Sequence, residues 1–301
     1  MRYFRGMICI VGVWGLSTTD AFEFAERPDR LDLVHEGKVW LSTITPQHDP
    51  NNREETYKVY THVFAFDGSA PLTKGPGGLY THHRGLFIGW KDTWVGGVDY
   101  DTWHMDNCYQ KHVEWTELKT GNDAATQVEQ LEWRTLDETA FIKEIRSITA
   151  FPAQDGSRVI DFESTLTSVS GDIQLKGDLH HAGMQIRMAQ EVADHQDSTQ
   201  YILPEGATQE ANDKVPAAWW VCCSPVIAGK RLWIVHMTSP ELVTGRPVYS
   251  IRRYARFGAF FEPTLLEGNP VTFRFRIVVS EKELDRAACQ GLYDEYAKRT
   301  R

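Results

Sequence analysis

Beyond its first twenty residues, this chain has no apolar run near the ~20 residues needed to cross a bilayer as a helix, which argues against a multi-pass helical membrane protein. It has no long basic run and carries a formal charge of −9, which argues against a partner that presents a phosphate backbone; no nucleic acid is expected. No G-x-G-x-x-G opens a helix and no G-x-x-x-x-G-K-[ST] occurs, so no nucleotide cofactor is expected. A G-x-S-x-G elbow is also missing. There are five cysteines and no C-x-x-C, which removes zinc ribbons and thioredoxin-type redox sites. Cys222 and Cys223 are neighbours on an expected strand, so their thiols should point to opposite faces.

Apolar residues make up 42% of the 301 and aromatics 12%, enough for a large core. Residues 1–21 pair two arginines with a short apolar stretch, the pattern of a signal peptide, which implies a periplasmic or secreted protein with no membrane insertion after cleavage. Residues 22–301 then form one domain. Strand-like stretches rich in β-branched and aromatic residues run over Lys38–Ile44, Tyr57–Phe66, Gln127–Trp133, Ile142–Phe151, Arg158–Leu166, Trp219–Val226, Arg231–Met237 and Val271–Val279. Turn signals such as DGS, GPGG, QDGS and EGN separate them. One helix is expected at the end, with Ser280 and Glu283 as a capping box and Leu284, Ala288, Leu292 and Tyr296 on its buried face. Strands do not alternate with helices, so the fold class is all-β: a large antiparallel β-sandwich with one C-terminal helix.

The chemistry points to histidine. His-His-x-Gly-apolar-x-Ile occurs twice, at His82-His83 and at His180-His181, 98 positions apart. If each pair lies in an extended segment, only one histidine of each faces a common pocket. The glycine that follows permits a bulge or a close backbone approach. Five histidines (His62, His82, His83, His104 and His112) crowd into 51 residues among aromatics, as in a cleft that binds sugar faces. Imidazoles there suit proton abstraction and return. Three converging imidazoles would instead suit a divalent metal. Asp99, Asp101 and Asp106 flank His104 and could orient it, whereas Glu129, Glu132 and Glu144 are expected to face water for the most part.

The runs KGPGGLYTHHRGLFIGW, YDTWHM, HHAGMQIR, GKRLWIVHM and RYARFGAFF, in this order from about residue 57 to residue 298, resemble the PmoA-like family of uncharacterised bacterial proteins. That resemblance implies a galactose-mutarotase-like β-supersandwich, and the missing membrane helices contradict the methane-oxidation name the family borrows. It implies site positions at His62, His82, His83, Arg84, Trp103, His104, His181, Gln185, His236 and Arg256. Two departures stand out: Ser239 replaces a histidine that many relatives carry after His236, and Ala255 replaces a glycine.

The resulting expectation is a carbohydrate-active enzyme in polysaccharide breakdown, working by β-elimination, dehydration or epimerisation. On a sugar or uronate, His83 and His181 serve as base and acid with His104 as a third catalytic candidate; Trp103 stacks on the sugar, Arg256 neutralises a uronate carboxylate or a keto oxygen, and His62, His82, Arg84, Gln185 and His236 bind substrate. Two alternatives stay open. One is a cleft built around a divalent metal on His83, His104 and His181; the other is a carbohydrate-binding protein without catalysis.

Overall fold

A computed structural model describes residues 21–241 and 247–299, so the expected signal segment lies outside the described residues, apart from its last position. Among these residues the chain forms two large antiparallel sheets laid face to face. The nine-stranded sheet has at its centre Tyr60–Val63, Leu86–Trp90, Ala182–Arg187, Arg256–Phe260 and Val248–Ile251, in that spatial order. The eight-stranded sheet has at its centre Trp220–Ser224, Trp233–Thr238, Val271–Ser280, Arg158–Ser168 and Ala140–Pro152.

Alternation explains how the layers meet. Along Ala182–Arg187, Met184 and Ile186 enter the core between the sheets, so Gln185 and Arg187 point to the outer face. Leu86, Ile88 and Trp90 join the same core, which leaves Phe87 outside with Tyr60 and Trp103 in a small separate cluster. Across the core, Phe162, Phe273, Phe275 and Ile277 of the eight-stranded sheet complete the packing. On that sheet's outer face Trp220, Cys222, Val235 and Met237 pack under the C-terminal helix. Cys223 belongs instead to the inner core, so the two thiols do part to opposite faces, and the four described cysteines are free.

Most expected strands are present with slightly different ends; Lys38–Ile44 matches throughout. Tyr57–Phe66 shrinks to Tyr60–Val63, because side chains capture the backbone before it: Gln110 Oε1 accepts from the Val59 N–H and Arg146 donates to the Val59 carbonyl. The helix spans Arg286–Arg299, six residues beyond the expected cap. Ser280 ends a strand, and its hydroxyl is occupied by the backbone of Lys282. Asp285 is the residue whose carboxylate takes the Ala288 N–H, at 2.8 Å. The buried face is accordingly Cys289, Tyr293, Tyr296 and Ala297, with Ala288 exposed.

Candidate active site

The outer face of the nine-stranded sheet carries a layer of buried polar side chains: Gln185, Arg187, Ser250 and Arg256. Three turns fold over this layer. The first, Lys74 to Gly85, is tied at both ends to the strand beneath, since the Lys74 N–H donates to the Arg187 carbonyl and the Arg187 N–H to the Gly85 carbonyl. It presents Tyr80, His82 and His83. The second, Asp101 to Asn107, carries Trp103 and His104. The third, Asp178 to His181, carries the other histidine pair.

Neither pair lies in a strand. Both are in turns that immediately precede strands, so the alternation expected from an extended segment does not apply. What the sequence signalled correctly was the glycine. A side chain at Gly85 would stand 2.1 Å from the Thr61 carbonyl oxygen, and one at Gly183 2.1 Å from that of Ala259, where φ is also +85°. Only glycine lets the neighbouring strand come this close.

Two histidines emerge with the same local construction. Asp101 Oδ1 accepts from the Trp103 N–H (3.1 Å) and the His104 N–H (2.7 Å), and its Oδ2 accepts from His104 Nδ1 at 2.7 Å. Asp178 Oδ1 accepts from the His180 N–H (2.8 Å) and from His181 Nδ1 at 2.7 Å. Burial pushes both carboxyl groups up, but these hydrogen bonds outweigh it and hold them below the ordinary range. An ionised carboxylate only accepts, so each Nδ1 carries a proton, and in the neutral form of either ring the lone pair is on Nε2. The two side chains are 24% and 27% exposed, and their ring centroids are 5.1 Å apart. Burial lowers the His181 pKa, with Asp178 opposing the shift.

The other expected residues divide. His82 packs against His104 at 4.2 Å between ring centroids, and burial, reinforced by His104 and Lys58, pushes it down to about 2. His83 is 2% exposed, has no partner on either nitrogen, and is driven well below its ordinary pKa by burial, then by His82 and Arg256. Its ring and that of His181 both meet Trp103 edge-on, at 5.8 and 5.7 Å, but the imidazole that meets His181 is that of His104. Trp103 is buried, with the Arg256 guanidinium 5.9 Å from its ring, so it forms the floor of the site and offers no open stacking face. Gln185 Oε1 accepts from Arg256 Nη1 at 3.0 Å.

Three of the expected residues stand apart. His62 lies at the flank, bonded through Nδ1 to the Thr73 hydroxyl (3.0 Å), and burial takes it down to about 4. Arg84 is buried in a scaffold role, its guanidinium held by Glu54 (2.7 Å) and the Tyr57 hydroxyl (3.1 Å). His236 is on the wrong side altogether. It sits in the core between the sheets, bonded to the Tyr249 hydroxyl at 3.0 Å and touching Met184, whose strand neighbour Gln185 faces the site. His112, counted in the sequence cluster, pairs with buried Glu129 in that same interior layer. Glu144 is buried as well, contrary to the expectation of a wet face.

The metal trio left open by the sequence is not brought together as a set: His83 is buried, and among the described residues no three His, Cys, Asp or Glu side chains are arranged to hold an ion. Several residues went unnoticed in the sequence. Asp178 stands three positions before His181, as Asp101 does before His104, and that shared D-x-x-H spacing was the available signal. Lys58 is buried with Nζ on the Trp103 carbonyl at 2.6 Å; burial, then Arg84, pulls it down to about 7. Lys74 is pulled to about 7 by burial and by Arg84 and Arg187. Tyr80, Met105 and Ala255 all hold left-handed backbone in or beside the site turns. For non-glycine residues this costs on the order of 1–3 kcal/mol each.

A model of a family of unknown function, DUF6807, matches residues 30–294. Nothing supports the PmoA name. No curated protein matches the sequence. Among solved structures, a GalM/aldose epimerase homologue from C. elegans is 8% identical, covering 86% of this chain and 99% of its own, with a TM-score of 0.37. The protein HI1317 is 9% identical over the same shares, with a TM-score of 0.35. Such similarity to aldose epimerase-like folds is distant, and no residue role is taken from it.

Proposed function

The chain belongs to the DUF6807 family, which has no assigned reaction, and from the geometry we propose a carbohydrate-active enzyme that moves a proton on a sugar ring between two histidines. The observation that carries this reading is the pair of Asp–His units, Asp101–His104 and Asp178–His181, with imidazoles 5.1 Å apart. In each, the carboxylate fixes the tautomer and orients the ring, and it stabilises the imidazolium formed when Nε2 takes a proton. One unit removes the proton and the other returns it or protonates a leaving oxygen. The first course gives epimerisation and the second elimination or dehydration. His181 keeps the role expected from the sequence, and His104 takes the one expected of His83.

Burial strengthens the case for His104 and His181 over the other imidazoles. His82 and His83 are held neutral beneath the surface by burial and neighbouring positive charge, whereas His104 and His181 are partly open and each has an acid behind it. Aromatic rims at Tyr80 and Tyr254 suit a sugar. Export through the N-terminal segment, and a place in polysaccharide breakdown, belong to the same proposal. The test is to incubate the protein with neutral, acidic and 3-keto oligosaccharides and read the products by mass spectrometry. Loss of one water signals dehydration, cleavage without added water signals elimination, and solvent deuterium gained without cleavage signals epimerisation. Turnover that survives in both His104→Gln and His181→Gln would sink the reading, as would binding with no turnover of any kind.

A further inference from the structure

The strands Ala182–Arg187 and Arg256–Phe260 pair so that Arg187 lies directly opposite Arg256. Both side chains are on the outer, site-bearing face, and both residues are at most 1% exposed. Like charges placed directly across a ladder repel, and burial removes the water that would screen them. Their own contacts do not neutralise them. Arg187 gives Nη1 to the Tyr254 carbonyl and stacks its guanidinium 4.6 Å from that tyrosine's ring; its Nε and Nη2 have no partner. Arg256 gives Nη1 to Gln185 Oε1 and to the Ser250 hydroxyl, and its Nε has no partner.

Five carboxylates of the surrounding segments are already engaged. Glu54 holds Arg84, Asp213 holds Arg252, Asp197 holds Arg253, and Asp101 and Asp178 hold the two histidines. Around the arginines the remaining polar atoms are also unpartnered: both nitrogens of His83, Nδ1 of His180 and Nε1 of Trp103. In a folded protein unpaired buried N–H groups such as Arg187 Nε and Nη2, Arg256 Nε and Trp103 Nε1 point to an acceptor that binds there. Here the acceptor must also bring negative charge.

We propose that Arg187 and Arg256 form a subsite for the carboxylate of an acidic sugar, so that the substrate class of the two-histidine site is a uronic acid or an oligosaccharide that contains one. Guanidinium N–H pairs match the planar two-oxygen carboxylate better than a lone hydroxyl. Arg256 is close enough to His180 and His181 that its charge acts on both imidazoles, so the subsite adjoins the proton-moving pair. A carboxylate neutralised there also acidifies the hydrogen on the carbon that bears it. When His181 or His104 takes that proton on Nε2, the C–H electron pair passes into the carboxylate as an enediolate, and the two arginines stabilise the added charge. This inference rests on the acid–base reading above, but its test is a binding test.

The full chain is titrated with sodium D-glucuronate and with D-glucose at equal ionic strength, following tryptophan fluorescence and Tm. Glucuronate should bind more tightly than glucose by at least about tenfold, the worth of one hydrogen bond to a charged group. That preference should vanish in Arg187→Gln and in Arg256→Gln, each with an unchanged circular dichroism spectrum, and persist in His181→Gln. Equal response to the two sugars, no response to either, or a preference that survives both arginine substitutions overturns the subsite. If the acid–base reading alone fails, the preference for glucuronate remains and turnover is absent. If the subsite alone fails, turnover on a neutral sugar survives in Arg256→Gln.

Discussion

Arg146 and Arg256 are both buried guanidiniums, one between the two sheets and one beneath the site, and burial by itself pushes both pKa values down. For Arg146 the push is overcome: Glu144 takes its Nε and Nη2 at 2.8 and 2.9 Å, Glu129 stands 3.8 Å away, and the net shift is upward. Glu144 is further held by Trp133 and Ser164. For Arg256 the supporting groups are tyrosines, Arg252 opposes, and the net shift stays downward. The first region has its counter-charge built in. The second lacks one among the described residues, which is the contrast on which the proposed carboxylate subsite rests.

The largest break of this contrast would come from paired substitutions. Arg146→Met strands Glu144 and should destabilise the protein by about 3–5 kcal/mol in urea unfolding, while Arg256→Met removes an uncompensated cation and should leave stability unchanged or raise it. Equal losses would mean that the two regions do not differ. The next effect is on activity. His104→Gln and His181→Gln should each lower kcat/KM by roughly 10²-fold or more on whichever sugar is turned over, with Tm almost unchanged because both rings are partly exposed.

A smaller effect is shared by the two regions. His236 in the core is lowered from 6.5 to about 3 by burial, and His83 under the site is lowered well below 6.5. Each is neutral when folded and binds a proton on unfolding once the pH drops under its ordinary pKa. Stability is therefore full above about pH 6.5 and declines below it, by up to about 1.4 kcal/mol per pH unit per histidine, until the folded pKa is reached. Unfolding midpoints measured from pH 7.5 to pH 5 check the sign. The finest distinction concerns Asp178, which raises the His181 pKa against burial. Asp178→Asn should move the His181 titration to lower pH, read by NMR of the imidazole, and shift the acid limb of kcat/KM the same way. A shift to higher pH would mean that the carboxylate does not hold the ring as described.

Much of the sheet framework could be read from the sequence because each long strand carries its own alternation. TFRFRIV in Val271–Ser280 needs no partner to announce which residues face inward. The site could be read only in part. His104, His181 and Trp103 do come together, as the shared motifs implied. The expectation that each histidine pair sends one ring inward assumes a strand where a turn occurs, and turn geometry depends on what the backbone hydrogen-bonds to. The resemblance places His236 in the site, whereas it lies in the core between the sheets, and sequence alone does not tell which face of a strand meets which sheet. Lys58, Lys74 and Arg187 look like ordinary surface cations until the turns fold over them. Their burial comes from residues up to about a hundred positions away, and no local pattern records it.

The two glycines that follow the histidine pairs have a consequence for how the proposed activity would be lost. Because Gly85 and Gly183 each abut a carbonyl of the next strand, the separation of the two histidine turns is gauged by the spacing of the sheet itself. A single added methyl at either point would leave every histidine, aspartate and arginine in the chain and still shift one turn against the other. Such a variant would keep its fold and its full inventory of reactive groups and yet be mistuned, an inactive copy that a comparison of catalytic residues alone would pass as sound.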